Sequence, residues 1–527
     1  MRKLLYCLLL GLAALPLPAQ DESVLRAALF LSGAASEEEI PADWIDRLES
    51  ARTLRINSPH LRAGVLLTEY QVACILDYRG RHGDILSWEE LTLVDGFSRE
   101  TVDVLKPFLS LASDRLPGKA YTVRLHATVL ARGTLGSLGS KLKLNGERWR
   151  AGAAWRGEDG TAYAEWQMGR SRLLTGDFHT RWGQGLAIWT GFSMENLATV
   201  DAFVKRSTGL SPVGSYSSAS VHRGLAYEYA GAHLRLAAFA ALGKDSGAHA
   251  DYMWKNGQIG VTGLLTDGTY CIALDGKYNF KGTDWVGEIA YRNHSFAGMT
   301  AIRGKMGEAW KWAVQGRLVP SRYSGKKNGE YALAAGLRHT RRNAHMFSFS
   351  ADASLLPIPG TDPRRFQLRF YGIAQWQLSE IWLLDIRLTE RYRNYEAART
   401  DLRVDLKASG AHWMGVLRSE ADQCDGWGFL AYLEGGYKSE KTATYLRMTG
   451  FLIDQWASRI YCYERDAPGT FSVPAYYGRG FSASLVGSYK WPIGRRFRLK
   501  FNIRAAWMAR IGRAPSPCLN LQIQADW

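Results

Sequence analysis

The last nine residues, Leu519–Trp527, read LNLQIQADW and alternate between apolar and polar side chains. Successive side chains of a β-strand point to opposite faces of the sheet, so this alternation predicts a strand with one apolar and one polar face. The apolar face begins at Leu519 and ends on an aromatic residue, Trp527. A strand of this kind separates an apolar medium from water.

The same alternation recurs from Tyr121 onward, with Gly, Asn, Asp and Pro turns between the segments. Clear examples are Phe366–Trp376, Leu384–Arg391, Leu402–Ala408 and Phe481–Trp491. The chain is therefore predicted to be mainly β, a large antiparallel transmembrane β-barrel of about 20 strands, within a range of about 16 to 22. Because a closed barrel has no free edge, the last strand should pair with the first, near Tyr121–Arg132.

The C-terminal strand resembles the terminal strand of outer-membrane β-barrels, which implies outer-membrane lipid and the barrel assembly machinery as partners. The start of the chain agrees, because Arg2-Lys3 precede an apolar run, Leu4–Leu17, and residues 1–20 are typical of a secretory signal peptide. The five cysteines that follow this segment are scattered and show no metal-ligand spacing. We expect no metal and no cofactor.

The charge of the chain changes sign near Pro117-Gly118. Residues 21–118 contain 10 Lys and Arg against 17 Asp and Glu, a net charge of -7. Residues 119–527 contain 54 against 33, a net charge of +21. We therefore predict an acidic periplasmic domain over 21–118 and a basic barrel over 119–527.

The acidic domain is predicted to be a small all-α unit. Pro41 opens an amphipathic helix, and a second helix covers Thr68–Tyr78. Ser87, with Glu90 three residues later, matches a capping box. A last helix is predicted over Arg99–Leu109.

Five stretches of this domain follow a known pattern: Ile56-Asn57, Ile75–Arg79, His82-Gly83, Trp88–Leu91 and Val94–Ser98. In these stretches the domain resembles the double helix-hairpin-helix domain of competence-type DNA receptors. The resemblance implies DNA binding at Gly96, Phe97, Ser98 and Arg99, where backbone N–H groups could hold a phosphate.

The domain departs from that family at both hairpins. The first reads Val65-Leu66-Leu67 without glycine, and the second has Ser98 in place of its second glycine. With a net charge of -7, these changes disfavour phosphate binding, which depends on excess cations. The alternative is a module that docks a periplasmic protein partner or plugs the barrel.

A second resemblance covers the barrel. Residues 173–189 read LLTGDFHTRWGQGLAIW, and with Arg223-Gly224 they resemble the barrel part of large exported helix-hairpin-helix proteins of Gram-negative envelopes. The residues that carry this resemblance are Gly176, Asp177, Gly183, Gln184, Gly185, Arg223 and Gly224. Gly183 and Gly185 indicate a bulge or a tight bend.

Basic residues that face the lumen indicate the charge of the solutes that the barrel could accept. Arg387, Arg391, Arg403, Lys407, Arg498, Lys500 and Arg504 are predicted to face the lumen. Confined cations concentrate anions, but Asp385, Glu390 and Asp405 lie close enough in sequence to pair with them. Both interpretations stay open at this point.

Three functional hypotheses follow. The first is a non-enzymatic outer-membrane protein for passage or binding of solutes or macromolecules, with the helical domain as a docking or plug module. The second is DNA binding and uptake. The third is a barrel hydrolase that uses Asp177 and His179, although no nucleophile elbow or HExxH motif accompanies them.

Overall fold

The computed structural model describes residues 22–112 and 122–526, except positions 41, 50, 52, 59, 60, 62, 133, 134, 147, 192–196, 232, 244, 255, 325–328, 342–344, 358–364, 469, 471 and 494–496. The predicted signal peptide, the boundary at Pro117-Gly118 and the terminal Trp527 lie outside these residues.

The N-terminal domain contains five α-helices within the described residues: α1 Glu22–Ser32, α2 Ala42–Glu49, α3 Glu69–His82, α4 Trp88–Leu91 and α5 Arg99–Leu105. A 3-10 turn, Glu37–Glu39, separates α1 from α2. The predicted cap is confirmed, since the hydroxyl of Ser87 accepts a hydrogen bond from the Glu90 amide at 3.0 Å. The domain also contains one short parallel pair of strands, Leu54–Arg55 with Leu109–Ser110.

These helices enclose one apolar core. Its buried side chains come from all five helices and from the connections, with Ile75, Leu91 and Leu105 completely buried. Burial of such side chains stabilises a small domain by about 2 kcal/mol each. None of the described helices has the length and apolar character needed to cross a membrane.

Residues 122–526 form one closed antiparallel barrel. Its strands are β1 Thr122–Arg132, β2 Leu135–Asn145, β3 Trp149–Arg156, β4 Asp159–Met168, β5 Ser171–Arg181, β6 His222–Ala230, β7 Leu234–Ala241, β8 Ser246–Trp254, β9 Gly257–Thr266, β10 Thr269–Phe280, β11 Thr283–Arg292, β12 Ser295–Met306, β13 Trp310–Val319, β14 Glu330–Arg341, β15 His345–Leu356, β16 Arg365–Gln377, β17 Trp382–Arg393, β18 Glu396–Ser409, β19 Trp413–Gln423, β20 Trp427–Lys438, β21 Thr442–Ile453, β22 Gly478–Ile493, β23 Phe497–Arg510 and β24 Ser516–Asp526. A short extra strand, Gly209–Pro212, pairs with the end of β5.

The predicted barrel class is confirmed, but the predicted range of 16 to 22 strands was too low, because 24 long strands close the described barrel. Several hairpins turn on only two residues, such as Asp267-Gly268 and Lys281-Gly282, where both residues have positive φ. Such turns barely interrupt the alternation, so neighbouring strands are hard to separate by sequence.

The predicted closure is also confirmed. β24 pairs antiparallel with β1, with Cys518 opposite Arg132 and Asp526 opposite Arg124. Because the strand number is even, the start of β1 and the end of β24 lie on one rim, here called the N-terminal rim. The rim at the other end is called the distal rim.

Burial in the barrel is the reverse of that in a water-soluble protein. On β24, the outward Leu521 and Ile523 are 42% and 50% exposed, whereas the inward Asn520 and Gln522 are 0% and 2% exposed. Exposed tryptophans mark the strand ends at the N-terminal rim: Trp254, Trp310, Trp382, Trp413 and Trp491. An apolar outer wall with a tryptophan belt is the arrangement of a transmembrane barrel.

Two long connections at the distal rim fold into the lumen. The first, residues 182–221, is here called loop A, and its turn Val200–Phe203 packs on the inner face of β13, where Gln315 donates to the Phe203 carbonyl at 2.6 Å. The second, residues 454–477, is here called loop B. Gln522 donates to the Pro468 carbonyl of loop B at 2.6 Å.

Candidate functional site

The Gly-Asp and Arg-Gly elements of the sequence meet on adjacent strands. Asp177 of β5 stands opposite Arg223 of β6, and Gly176 stands opposite Gly224. The Asp177 carboxylate is almost fully buried and accepts hydrogen bonds from Arg223 Nε at 2.8 Å and from the Ala162 amide at 2.7 Å. These two elements therefore join β4, β5 and β6 at the point where loop A leaves the wall.

The two glycines are required by close backbone contacts. A Cβ on Gly176 would lie 2.1 Å from the Ala162 carbonyl oxygen, and one on Gly224 would lie 2.1 Å from the Ala240 carbonyl oxygen. Gly176 also has a φ of +95°. Only glycine fits both contacts without moving the neighbouring strand.

The hypothesis of a hydrolase placed Asp177 beside His179. The carboxylate of Asp177 is directed to Arg223 and to the Ala162 amide, and His179 is buried beneath Gly191 of loop A. A buried carboxylate that pairs with the exposed Arg223 at a strand junction explains Asp177 as a structural residue.

The Gly-Gln-Gly element anchors loop A to the barrel wall. Glu288 of β11 points inward, and its carboxylate accepts hydrogen bonds from the amides of Gln184 at 2.5 Å, Leu186 at 3.2 Å and Ala187 at 2.9 Å. Gly183 and Gly185 have positive φ values of +58° and +85°, which gives the predicted tight bend. The bend directs three amides at one carboxylate.

Loop B is also anchored to the barrel wall, in this case by ion pairs. Arg465 pairs with Glu434 at 2.8 Å, and Arg504 pairs with Glu464 of the same loop. Asn520 of β24 donates to Asp466 at 2.8 Å. The inward Arg504 predicted from the sequence is thus paired.

A third set of ion pairs connects the N-terminal domain with the lumen wall. Glu38 lies between Arg403 of β18 and Arg418 of β19, at 2.7 Å and 2.6 Å, and Glu37 lies 3.3 Å from Arg403. Asp405 pairs with both arginines. We call Glu37, Glu38, Arg403, Arg418 and Asp405 the glutamate latch.

The latch keeps the carboxylates of Glu37 and Glu38 charged. Burial alone would raise the pKa of Glu38, but the guanidinium of Arg403 and the amide of Tyr463 in loop B hold it at about 2. Burial opposes ionisation of Glu37 as well, yet Lys407 and Arg403 lower its pKa. Both groups are therefore anions at neutral pH.

Other contacts join the domain to the wall and to loop A. Glu100 pairs with Lys311 of β13 at 2.5 Å and with Arg338 of β14 at 2.9 Å. The Gly33 carbonyl accepts from Thr199 of loop A at 3.0 Å. These contacts, with the latch, reach strands from β13 to β19.

The candidate DNA-binding residues occupy different environments. Phe97 is buried in the domain core, and the Ser98 hydroxyl accepts a hydrogen bond from the Thr101 amide at 3.1 Å. The Gly96 carbonyl accepts from Gln71 at 2.9 Å, while Arg99 is exposed. Gly96, Phe97 and Ser98 line a cavity of about 500 Å³ whose opposite side is formed by loop A and the barrel wall. DNA binding here stays a prediction.

No protein-family model and no curated protein matches the sequence. Solved structures with a similar barrel include the outer membrane protein OpdK from Pseudomonas aeruginosa, at 9% identity and a TM-score of 0.33, covering 77% of this chain and 98% of that one. The P pilus usher PapC translocation pore gives 9% and 0.35, with 77% and 99% covered. The siderophore receptor PirA from Pseudomonas aeruginosa gives 8% and 0.40, with 78% and 81% covered. Likenesses this low carry no argument about what this chain binds.

The glutamate latch was not predicted. Arg403 and Asp405 were recognised as inward residues, but the Glu37-Glu38 pair is separated from them by more than 360 positions. The one signal in the sequence was the opposite charge of the two parts, which indicates attraction without naming the contacts.

Proposed function

We propose that this protein is a non-enzymatic outer-membrane barrel for the passage or binding of solutes, and that its N-terminal domain acts as a plug. The observation that carries the proposal is the glutamate latch, in which the side chains of Glu37 and Glu38, 15% and 9% exposed, contact arginines in the middle of strands β18 and β19. The apolar outer wall and the even number of strands support an outer-membrane location.

Inside the lumen, one segment of the N-terminal domain contacts both long loops. Glu38 accepts a hydrogen bond from the Tyr463 amide of loop B at 3.0 Å, and Gly33 lies against Ala202 of loop A. Residues 33–38 are thus in contact with both loops and with the wall. A solute that crosses the barrel must displace this segment.

Ion pairs suit a removable plug better than apolar packing does. Loss of one partner of a buried Arg–Glu pair destabilises the folded protein by about 3 to 5 kcal/mol, because the other charge is left unpaired. Another anion can, however, take the place of the carboxylate. An apolar contact surface cannot be replaced by a small anion in this way. We infer that the domain can leave the latch while its own core stays folded.

The test is conductance in planar bilayers. Wild-type protein should be almost silent at neutral pH, and the double variant E37Q/E38Q should show frequent openings because Arg403 and Arg418 lose their carboxylate partners in the N-terminal domain. The control E89Q/D103N removes two exposed acidic groups of the same domain, for which the structure gives no barrel contact, and should stay silent.

Two results would contradict the plug. One is a wild-type channel that is constantly open at neutral pH. The other is an E37Q/E38Q variant that inserts as a folded barrel, seen by its heat-modifiable gel mobility, and stays silent under the same voltage.

A further inference from the structure

The cavity between the N-terminal domain and the barrel wall is rich in cations. Its volume of about 500 Å³ suits a small organic molecule rather than a single water or ion. Six basic residues line it: Lys205, Arg206, Lys277, Arg303, Lys305 and Lys311. Among the described lining residues there are four aspartates, so the cavity carries an excess of positive charge.

Some of these cations already have carboxylate partners. Arg303 pairs with Asp284 at 3.0 Å, and Lys311 pairs with Glu100 at 2.5 Å. Asp284 also accepts from Asn279 at 2.8 Å, which uses its second oxygen. Their charges are thus balanced within the protein.

Arg206, Lys277 and Lys305 have no ion pair among the residues that the structure describes. Arg206 donates only to neutral acceptors, the Leu66 carbonyl at 3.1 Å and the Gln71 side chain at 3.4 Å, and its Nε is buried without a partner. Burial, together with the charge of Arg303, lowers the pKa of Arg206 to about 10. The guanidinium remains charged at neutral pH in a place that disfavours charge.

Lys277 lines the same space. Its ammonium group is 4.1 Å from the centre of the Tyr70 ring, a cation–π contact. The carboxylate that attracts Lys277 is Asp284, which is already paired with Arg303, so one carboxylate serves two cations. Lys305 is exposed at the N-terminal rim, where it can attract an anion toward the cavity. Arg206 and Lys277 are both half-buried, and half-buried cations that outnumber their carboxylates are costly unless an anion joins them.

We propose that this cavity, here called the anion chamber, binds a small organic anion that carries a phosphate or carboxylate group, with Arg206 and Lys277 as its main contacts. This inference rests on the proposed function, since it names the class of solute that the barrel receives from the N-terminal rim. Arg206 supplies a planar fork of donors for the anionic group, and Lys277 adds a point charge.

The experiment measures binding to full-length protein in detergent micelles by calorimetry at low ionic strength, with glucose 6-phosphate, citrate and neutral glucose as probes. Glucose 6-phosphate or citrate should bind, glucose should not, and added salt should weaken the binding. Binding of only one anion identifies phosphate or carboxylate as the preferred group, and binding of both assigns recognition to charge.

Three variants test whether the basic residues of the cavity bind the anion. R206Q/K277Q should weaken binding at least about tenfold, because both charge-assisted contacts with the anion are lost. The control K441Q/K490Q removes two exposed lysines of the N-terminal rim outside the chamber and should leave affinity unchanged. K305Q, at an exposed position, should weaken binding a few fold. It provides a second test if the double variant fails to fold.

The anion chamber would be overturned if neither anion binds, or if folded R206Q/K277Q binds with the same affinity as wild type. If that double variant does not fold, unchanged affinity in K305Q overturns it. Micelle binding requires no passage, so this failure would leave a positive conductance result for E37Q/E38Q intact. A silent E37Q/E38Q barrel that still binds anions would instead reject the plug alone.

Discussion

At the scale of single residues, the junction of β4, β5 and β6 leaves no room for side chains at its glycines. We expect G176A and G224A each to lower the free energy of unfolding by about 2 kcal/mol or more, because the added methyl group overlaps a carbonyl oxygen of the next strand. Gly450 of β21 is the control, since nothing lies within 4 Å of a Cβ placed there. The measurement is the urea midpoint of refolding into detergent, and equal midpoints for G176A and G450A would contradict the prediction.

The sequence showed some of these residues but few of their partners. The resemblance to exported helix-hairpin-helix proteins singled out Asp177 and the glycines, yet the ion pair with Arg223 depends on the register of two strands separated by 40 residues of loop A. Glu288 is inward by the alternation of its strand, but its three amide donors come from positions about 100 residues earlier. Periodicity gives the direction of a side chain and leaves its long-range contact undetermined.

At the scale of elements, the short turn Glu37–Glu39 should make closure of the lumen dependent on pH. The pKa of Glu38 is about 2 in the latch against an ordinary value of 4.5, so ionisation favours docking fully above pH 4.5 and is lost as the pH falls toward 2. Docking should weaken by on the order of tenfold at pH 3.

Bilayer recordings between pH 7 and pH 3 check this. Wild-type openings should become frequent only below about pH 4.5, whereas E37Q/E38Q should show little change over the same range. Wild-type gating that is flat from pH 7 to pH 3 would rule out the latch carboxylates as its cause.

Elements themselves were largely predictable. The helix starts near Thr68 and the cap at Ser87 are local features, and both are present, with α3 beginning at Glu69 and α4 at Trp88. The strands that contain Phe366–Trp376 and Phe481–Trp491 were also correctly placed. The number of strands was underestimated because two-residue turns hide hairpins within continuous alternation.

At the scale of the whole molecule, closure of the barrel followed from the sequence, whereas the contents of the lumen did not. Pairing of β24 with β1 is required once a barrel is closed, because an open edge would be left otherwise. The meeting of residues 33–38 with loops A and B depends on side chains that are far apart along the chain. Opposite net charges of -7 and +21 indicated only that the two parts attract.

A disulfide across this meeting point should lock the molecule shut. A Cβ on Gly33 would lie 3.2 Å from the Cβ of Ala202, close to the separation of about 3.8 Å found in disulfides, so G33C/A202C should cross-link after a small shift. Oxidised G33C/A202C should stay silent at pH 3, and reduction with dithiothreitol should restore the acid-induced openings. The single variant G33C should open at pH 3 with or without reductant. Openings of the oxidised double variant equal to those of the reduced form would show that solutes cross the barrel without movement of the N-terminal segment past loop A.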